Sequence, residues 1–357
     1  MRMNKKGIAG SLAVVVLLLG VIGYFNRGQL AMLGFNWFLR DKVESTLENS
    51  YKPIDGREPV PISQVKGDED KPLAMLLLGV DQRGKEVGRS DTMIYTIVRP
   101  KDGAVLMVSI PRDTYVEIAG RGKKDKITHA YAFGGAKMSL ETVESFFQSP
   151  VDHYAAINFA GFRDVIDAMG GISLPIEEDI INKDPDHEHF VVKAGQDVYN
   201  GKDALNYVRY REDAGGDMSR TKRHQTFLSA MLDKASQVGQ WTKIPEFVGI
   251  MGDNFNTDLR PDQMIDLGQA MLQTGNRTIY SYTLKGEGHR LQAGGAWYFF
   301  ADEQDLADVR RMIASWMDGD TRKSDLIIPE ANGSVKSEKP VQSLSTGSGT
   351  AAAEEQE

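Results

Sequence analysis

An α/β domain with a mixed central sheet flanked by helices, set behind a single N-terminal transmembrane helix, is the architecture this sequence predicts. Three observations carry that expectation. Apolar runs of strand length, such as Leu73 to Val80, alternate with segments of helical periodicity. A turn of hairpin type, Pro100-Lys101-Asp102-Gly103, joins two neighbouring strands and makes them antiparallel. An 18-residue run without charge, Ile8 to Phe25, stands near the start.

The chain begins with Arg2, Lys5 and Lys6 before the apolar run, which places residues 1–7 in the cytoplasm. Residues 8–25 reach the short end of what spans a bilayer as helix. The alternative is a cleaved signal peptide, but Val21-Ile22-Gly23-Tyr24-Phe25 is a poor small-x-small cleavage site. The expectation is a single-pass protein of a bacterial cell membrane with its bulk extracellular. Residues 26–72 read as a juxtamembrane segment and linker. Trp37 and Phe38 with Arg40 and Lys42 suit the headgroup layer, or equally the anchor helix running on past the bilayer, and Pro53, Pro59, Pro61 and Pro72 sit among charges. The folded domain is expected over 73–318. Residues 319–357, poor in groups to bury towards their end, are expected to be largely disordered.

Within the domain, Leu73 to Val80 reads as a strand buried on both faces, with strands at Thr92–Val98 and Ala104–Ile110. A helix is expected from Ser139, a strand at His153–Asn158, a helix from Phe159 to Met169 stopped by Gly170-Gly171, and a strand at Ile172–Ile176. Arg220 to Ala235 reads as a helix with Phe227, Leu228, Met231 and Leu232 inward.

Composition bounds the function. The 357 residues carry a net charge of −8, so any bound anion needs a local cluster, and a general nucleic-acid binder is disfavoured. There is no cysteine, which excludes disulfides and thiolate metal sites. No G-x-S-x-G, Walker A or H-E-x-x-H motif occurs.

Two clusters remain. Asp81 follows the first strand, Asp91 precedes the second, and Arg112 follows the third. The hairpin brings Asp91 beside Arg112, and Asp81 joins them if the first and third strands run parallel. Arg83 and Arg89 lie in the loop between the aspartates. The second cluster holds Arg209, Arg211, Arg220, Lys222 and Arg223 within 16 residues. An extended Arg209–Arg211 would point both guanidiniums to one face, and Arg220 and His224 share a helix face, with Ser219 as N-cap. Planar guanidiniums at a helix N-terminus suit phosphate. The bland alternative is a solvated salt-bridge surface, since Glu212, Asp213 and Asp217 are interleaved. Asp81 and Asp91 suit Mg²⁺, or are simply loop caps. Lys126 and His129 offer a cation and a base, and His187-Glu188-His189 reads as surface.

Six motifs then fall in order: Gly79-Val80-Asp81-Gln82-Arg83, Arg89-Ser90-Asp91-Thr92-Met93, Ser109-Ile110-Pro111-Arg112-Asp113-Thr114, Lys126 to Gly135, Ala204 to Arg211, and Arg220 to Gln225. Together they resemble the LytR-CpsA-Psr family of cell-wall glycopolymer ligases over roughly residues 73–318. The resemblance implies transfer of an anionic glycopolymer, such as wall teichoic acid or capsule, from undecaprenyl diphosphate to peptidoglycan. The new bond would be a phosphodiester at the C6 hydroxyl of N-acetylmuramic acid. It also implies an apolar pocket for the lipid, and Mg²⁺ or Mn²⁺ held by Asp81 and Asp91. Arg112, Arg209, Arg211 and Arg220 would lie on the diphosphate, with Arg89 and Lys126 nearby. His224 stands where the family commonly has Gln, and would take that residue's place as a donor to the diphosphate. Asp81, Asp91 and Arg112 would be catalytic, one aspartate taking the acceptor's proton. Two rival readings keep the site: a polyprenyl-diphosphate phosphatase with water as acceptor, and a non-catalytic lipid-binding regulator of the envelope.

Overall fold

The computed structural model describes residues 34, 36–57, 71–81, 88–183, 189–210, 216–235, 237, 246, 249, 250, 254–273 and 278–329. The expected membrane span 8–25 and most of the tail lie outside the described residues. Among the described residues, no helix is long and apolar enough to cross a membrane.

Helix α1 (Arg40–Leu47) buries Val43 and Leu47, and Arg40 pairs with Asp266 at 3.0 Å. Lys52 N then donates to Thr257 O at 2.7 Å, and Arg57 forks onto both oxygens of Glu144 at 3.1 and 2.7 Å. The expected linker is therefore packed on the domain as far as Arg57. Its partners lie far along the chain, so local proline and charge content could not reveal the docking.

Strands β1 (Leu73–Asp81), β2 (Arg89–Arg99) and β3 (Ala104–Ser109) follow, the last two joined by the expected turn, where Gly103 N donates to Pro100 O at 3.2 Å. β2 starts earlier than Thr92, so Arg89 and Asp91 are strand residues. β4 (Tyr115–Ile118) and β5 (Lys123–Lys126) form a hairpin. Helix α2 (His129–Phe147) begins ten residues before Ser139, and its Gly134 and Gly135 leave helical geometry. Apolar periodicity marked only the part beyond that break. β6 (His153–Asn158) and α3 (Phe159–Ala168) stand as expected, and Asn158 caps the helix by accepting from Gly161 N at 2.8 Å. Ile172–Ile176 is not a strand: Ile172 alone bridges to Tyr199, and the apolar residues beyond it sit in a packed loop.

β7 (Ile180–Asn182) and β8 (Phe190–Val192) pair with each other. Helix α4 (Gly201–Arg209) is capped by Asn200, and α5 (Gly216–Ala235) starts four residues before Arg220. β9 (Phe255–Thr257), α6 (Pro261–Gln273), β10 (Thr278–Thr283), β11 (Gly286–Arg290), β12 (Trp297–Ala301) and α7 (Glu303–Met317) complete the domain.

Six strands form the central sheet in the order β10-β3-β2-β1-β6-β9. β1, β3, β6 and β10 run one way, and β2 and β9 run against them. The main core lies on one face, where Leu76, Leu78, Tyr95, Ile97, Leu106 and Val108 meet α2 and α7. The opposite face carries Met75, Ile94, Val98, Val105, Met107 and Ile279 in two smaller clusters, against partly buried Leu228 of α5 and Leu267 of α6. Beyond α7, Leu326 is buried and Trp316 Nε1 donates to Ile327 O at 2.8 Å. The folded part thus extends past residue 318 to about 329.

α3 and α4 pack so closely that a Cβ on Gly201 would stand 2.2 Å from Arg163 O. Gly201→Ala is expected to cost about 1–3 kcal/mol by forcing the helices apart, a loss readable as a lower denaturant midpoint.

Candidate active site

The carboxyl ends of β1, β3, β6 and β10 share one edge with the start of β2. The condition for Asp81 to join Asp91 and Arg112 is met, because β1 and β3 both pair antiparallel with β2. In register, Asp81 sits opposite Arg89 on one side, and Val80 sits opposite Asn158 of β6 on the other.

Asp91 is placed by an irregularity. Gly79 pairs with Thr92 but Val80 pairs with Ser90, so Asp91 is the extra residue of a β-bulge. Bulges re-aim side chains beside functional sites. Here the carboxylate meets Arg112, whose Nη1 donates to Asp91 Oδ1 at 2.8 Å. The backbone of β3 continues along β2 far enough for Ile110 N to donate to Met93 O at 2.9 Å, which holds Pro111-Arg112 at this edge.

Lys126 arrives through backbone stitching. Ile127 N donates to Thr114 O at 2.9 Å and Thr128 N to Arg112 O at 3.1 Å, while Thr128 Oγ1 donates to Ser90 O at 2.8 Å. Lys126 Nζ then lies 2.7 Å from Asp113 Oδ1, and Arg112 Nε lies 3.6 Å from Asp113 Oδ2. Asp113 therefore links the two cations, a role that sequence reasoning missed although the residue stood inside the Pro-Arg-Asp-Thr motif. His129, the first residue of α2, has Nδ1 3.0 Å from Asp125 Oδ1, one turn away from that link.

Arg209 reaches the edge from another direction. It closes α4 instead of starting an extended stretch; Tyr210 is the first extended residue. The Asn200 cap and the buried Ala204, Leu205 and Tyr207 make this segment helical. Its guanidinium carbon lies 4.4 Å from the ring centre of Phe159, the residue that follows Asn158. Such stacking fixes a cation while leaving its N–H groups available. Ser219 lies in the first turn of α5 and is not its N-cap, because that helix starts at Gly216. Arg211 and the side chain of Arg220 lie outside the described residues, as does Arg83. His224 Nε2 lies 3.0 Å from Val208 O, and Arg223 Nη2 donates to Tyr210 O at 2.5 Å, so both tie α5 to the end of α4.

The edge thus gathers Asp81, Arg89, Asp91, Arg112, Asp113, Lys126 and Arg209. Burial alone would lower the Arg112 pKa, but Asp91 and then Asp113 hold it above its ordinary value. Among the described residues of this edge, four cations stand with three carboxylates, a balance that suits a further anion. Among the described residues no group of three or more His, Cys, Asp or Glu is arranged to hold a metal ion. Mg²⁺ needs no such cage, since it takes one or two carboxylates together with water and substrate phosphate oxygens. Asp81 and Asp91, on adjacent strands at the open edge, fit that donor set.

A family model described as the LytR_cpsA_psr family matches residues 38–314. The chain belongs to this family. The LytR_cpsA_psr match starts inside the segment that leads into α1, in keeping with the docking of α1 on α6. Relatives include the polyisoprenyl-teichoic acid–peptidoglycan teichoic acid transferase TagU of Bacillus cereus, 36% identical over 303 residues, covering 84% of this chain and 96% of that protein. The protein of the same name from Bacillus subtilis is 34% identical over 298 residues, covering 83% and 94%. Among solved structures, B. subtilis TagV superposes with a TM-score of 0.59 at 33% identity, over 70% of this chain and 98% of that one. A structure of TagT bound to LI-WTA gives 0.59 at 29% identity, over 75% and 99%. The mixed α/β sheet with flanking helices is therefore the architecture of this family.

Proposed function

We propose that this LytR_cpsA_psr member transfers an anionic glycopolymer, of the wall teichoic acid or capsule kind, from undecaprenyl diphosphate to peptidoglycan. The bond formed is a phosphodiester at the C6 hydroxyl of N-acetylmuramic acid. The observation that carries this reading is the ion cluster Asp91–Arg112–Asp113–Lys126 at a sheet edge, in a chain related along most of its length to teichoic acid transferases. The apolar sheet face beneath α5 and α6 supports it, because a polyprenyl chain needs apolar surface close to its diphosphate.

Phosphoryl transfer depends mainly on positioning and charge stabilisation. Arg112 and Arg209 hold the diphosphate from two elements, and Arg89 and Lys126 add charge around it. Arg211 and Arg220, carried over from the family motifs, extend that grip. Asp91 or Asp81 accepts the proton of the acceptor hydroxyl, and the lipid phosphate departs as an anion matched by the guanidiniums. Mg²⁺ or Mn²⁺ held by Asp81 and Asp91 would supply further charge neutralisation at the diphosphate. The anchor 8–25 keeps the protein single-pass in a bacterial cell membrane, N-terminus cytoplasmic and domain extracellular, where lipid-linked donor and peptidoglycan meet.

The test combines the full chain, a synthetic polyprenyl-diphosphate glycan and peptidoglycan oligomers with Mg²⁺ or Mn²⁺. Expected is glycan on peptidoglycan, abolished by chelator and restored by either ion. Release of lipid monophosphate without glycan transfer would make the protein a phosphatase, and donor binding without any turnover would make it a regulator.

A further inference from the structure

Beside the ion cluster stands a group of aromatic rings that the transfer chemistry does not use. Phe299 N donates to Asp113 O at 2.9 Å, and Thr114 bridges to Phe299, so β12 is pinned to the segment that carries Arg112. Side chains alternate along a strand. On β12, Phe299 enters the core, and Tyr298 and Phe300 take the other side. There Tyr115 of β4 meets Tyr298 with ring centres 4.9 Å apart and Phe300 at 5.4 Å. His289 of β11 stacks on Phe300 at 4.0 Å, the planes 13° apart.

Two lysines border the rings. Lys124 Nζ lies 5.8 Å from the Tyr115 ring centre, and Lys126 Nζ lies 5.7 Å from that of Tyr298 while it holds Asp113. The shelf therefore begins where the anion site ends. Here Tyr115, Tyr298 and Phe300 stay partly exposed, and His289 is exposed.

Half-open rings with polar tips suit a ligand that has both apolar and hydroxylated surface, as a sugar ring does. In-line geometry selects which sugar. In phosphoryl transfer the attacking and leaving oxygens lie on opposite sides of phosphorus. The leaving group is the lipid phosphate, whose chain needs the apolar face beneath α5 and α6. Both hairpins stand on the other side of the sheet, with Val116, Ile118 and Phe299 in the core shared with α2 and α7. The attacking hydroxyl thus comes from the side of the shelf.

We propose that Tyr115, Tyr298, Phe300 and His289 form the binding shelf for the acceptor glycan strand, positioning its hydroxyl against the diphosphate held at Arg112. This rests on the ligase reading above. In the full chain, with a polyprenyl-diphosphate-linked glycopolymer as donor and uncrosslinked peptidoglycan oligomers as acceptor, Tyr298→Ala and His289→Ala are expected to raise the acceptor KM about tenfold and fivefold. The donor KM stays unchanged. An acceptor KM unmoved by both alanine variants overturns the proposal. So does a raised donor KM with acceptor KM unchanged, which would put the donor's own sugars on the shelf. If a thermal melt shows Tyr298→Ala unfolded, His289→Ala on its exposed side chain decides. If the unaltered chain transfers nothing, the ligase reading fails instead, and titration of the oligomers alone decides the shelf. Binding weakened in the alanine variants supports it, and absent or unchanged binding overturns it.

Discussion

Arg112→Ala is expected to lower glycopolymer transfer about 10²–10³-fold while the domain stays folded, the scale seen when one preorganised charge-stabilising donor is removed. Arg112 faces Asp91 through Nη1 and Asp113 through Nε, so its fork is set by two carboxylates from different sides in advance of substrate binding. A group fixed in this way pays no reorganisation as charge develops on the departing phosphate. Arg112→Lys should recover little of the loss, since an ammonium cannot span both carboxylates and still present a flat edge to phosphate. Stability should fall by only about 1 kcal/mol, because the side chain is 31% exposed and Asp113 keeps Lys126. Transfer kinetics set beside a denaturation curve separate the two effects. Near-normal transfer by Arg112→Ala would remove Arg112 from the chemistry.

The second large effect concerns stability. Arg99→Met should destabilise the domain by about 3–5 kcal/mol, the cost of breaking a buried charge pair by removing one partner. Arg99, 4% exposed at the end of β2, binds Asp102 at 2.6 Å and donates to the carbonyls of Trp316 and Asp318 at 2.8 Å and Thr321 at 2.6 Å. It joins the β2–β3 turn to the end of α7. Met fills much of the volume but leaves one carboxylate and three carbonyls without their donor. A denaturant midpoint close to that of the unaltered chain would show these contacts to be dispensable. The variant should keep its acceptor and donor KM at temperatures where it is folded, because Arg99 stands at the edge of the sheet opposite the ion cluster.

Much of the site is legible in the amino-acid sequence alone. Asp81, Asp91 and Arg112 each stand at a recognisable strand end, and one hairpin turn suffices to bring the last two together, because antiparallel pairing follows from a short loop. Arg209 is visible as part of a cationic run, but its extended reading assigns it the wrong backbone. The buried apolar face of α4 outweighs that reading: Ala204, Leu205 and Tyr207 stand at helical spacing, a signal that the arginines taken alone do not carry. Ile172–Ile176 fails for another reason: Ile172, Leu174 and Ile176 alternate with exposed Ser173 and Pro175, which shows one buried face, and burial is not strand pairing, for which Pro175 lacks the N–H.

The sequence by itself determined the α/β class, the central buried strand, the hairpin and the chemistry types at the open edge, because these depend on local periodicity, turn residues and charge. Tertiary structure alone decided that Asp91 is the bulged residue, that Asp113 links Arg112 to Lys126, that Arg209 rests on Phe159, and that β12 aligns aromatic rings beside them. Each of those depends on register between segments far apart in the chain, and register is settled by how whole faces pack, which no local window contains.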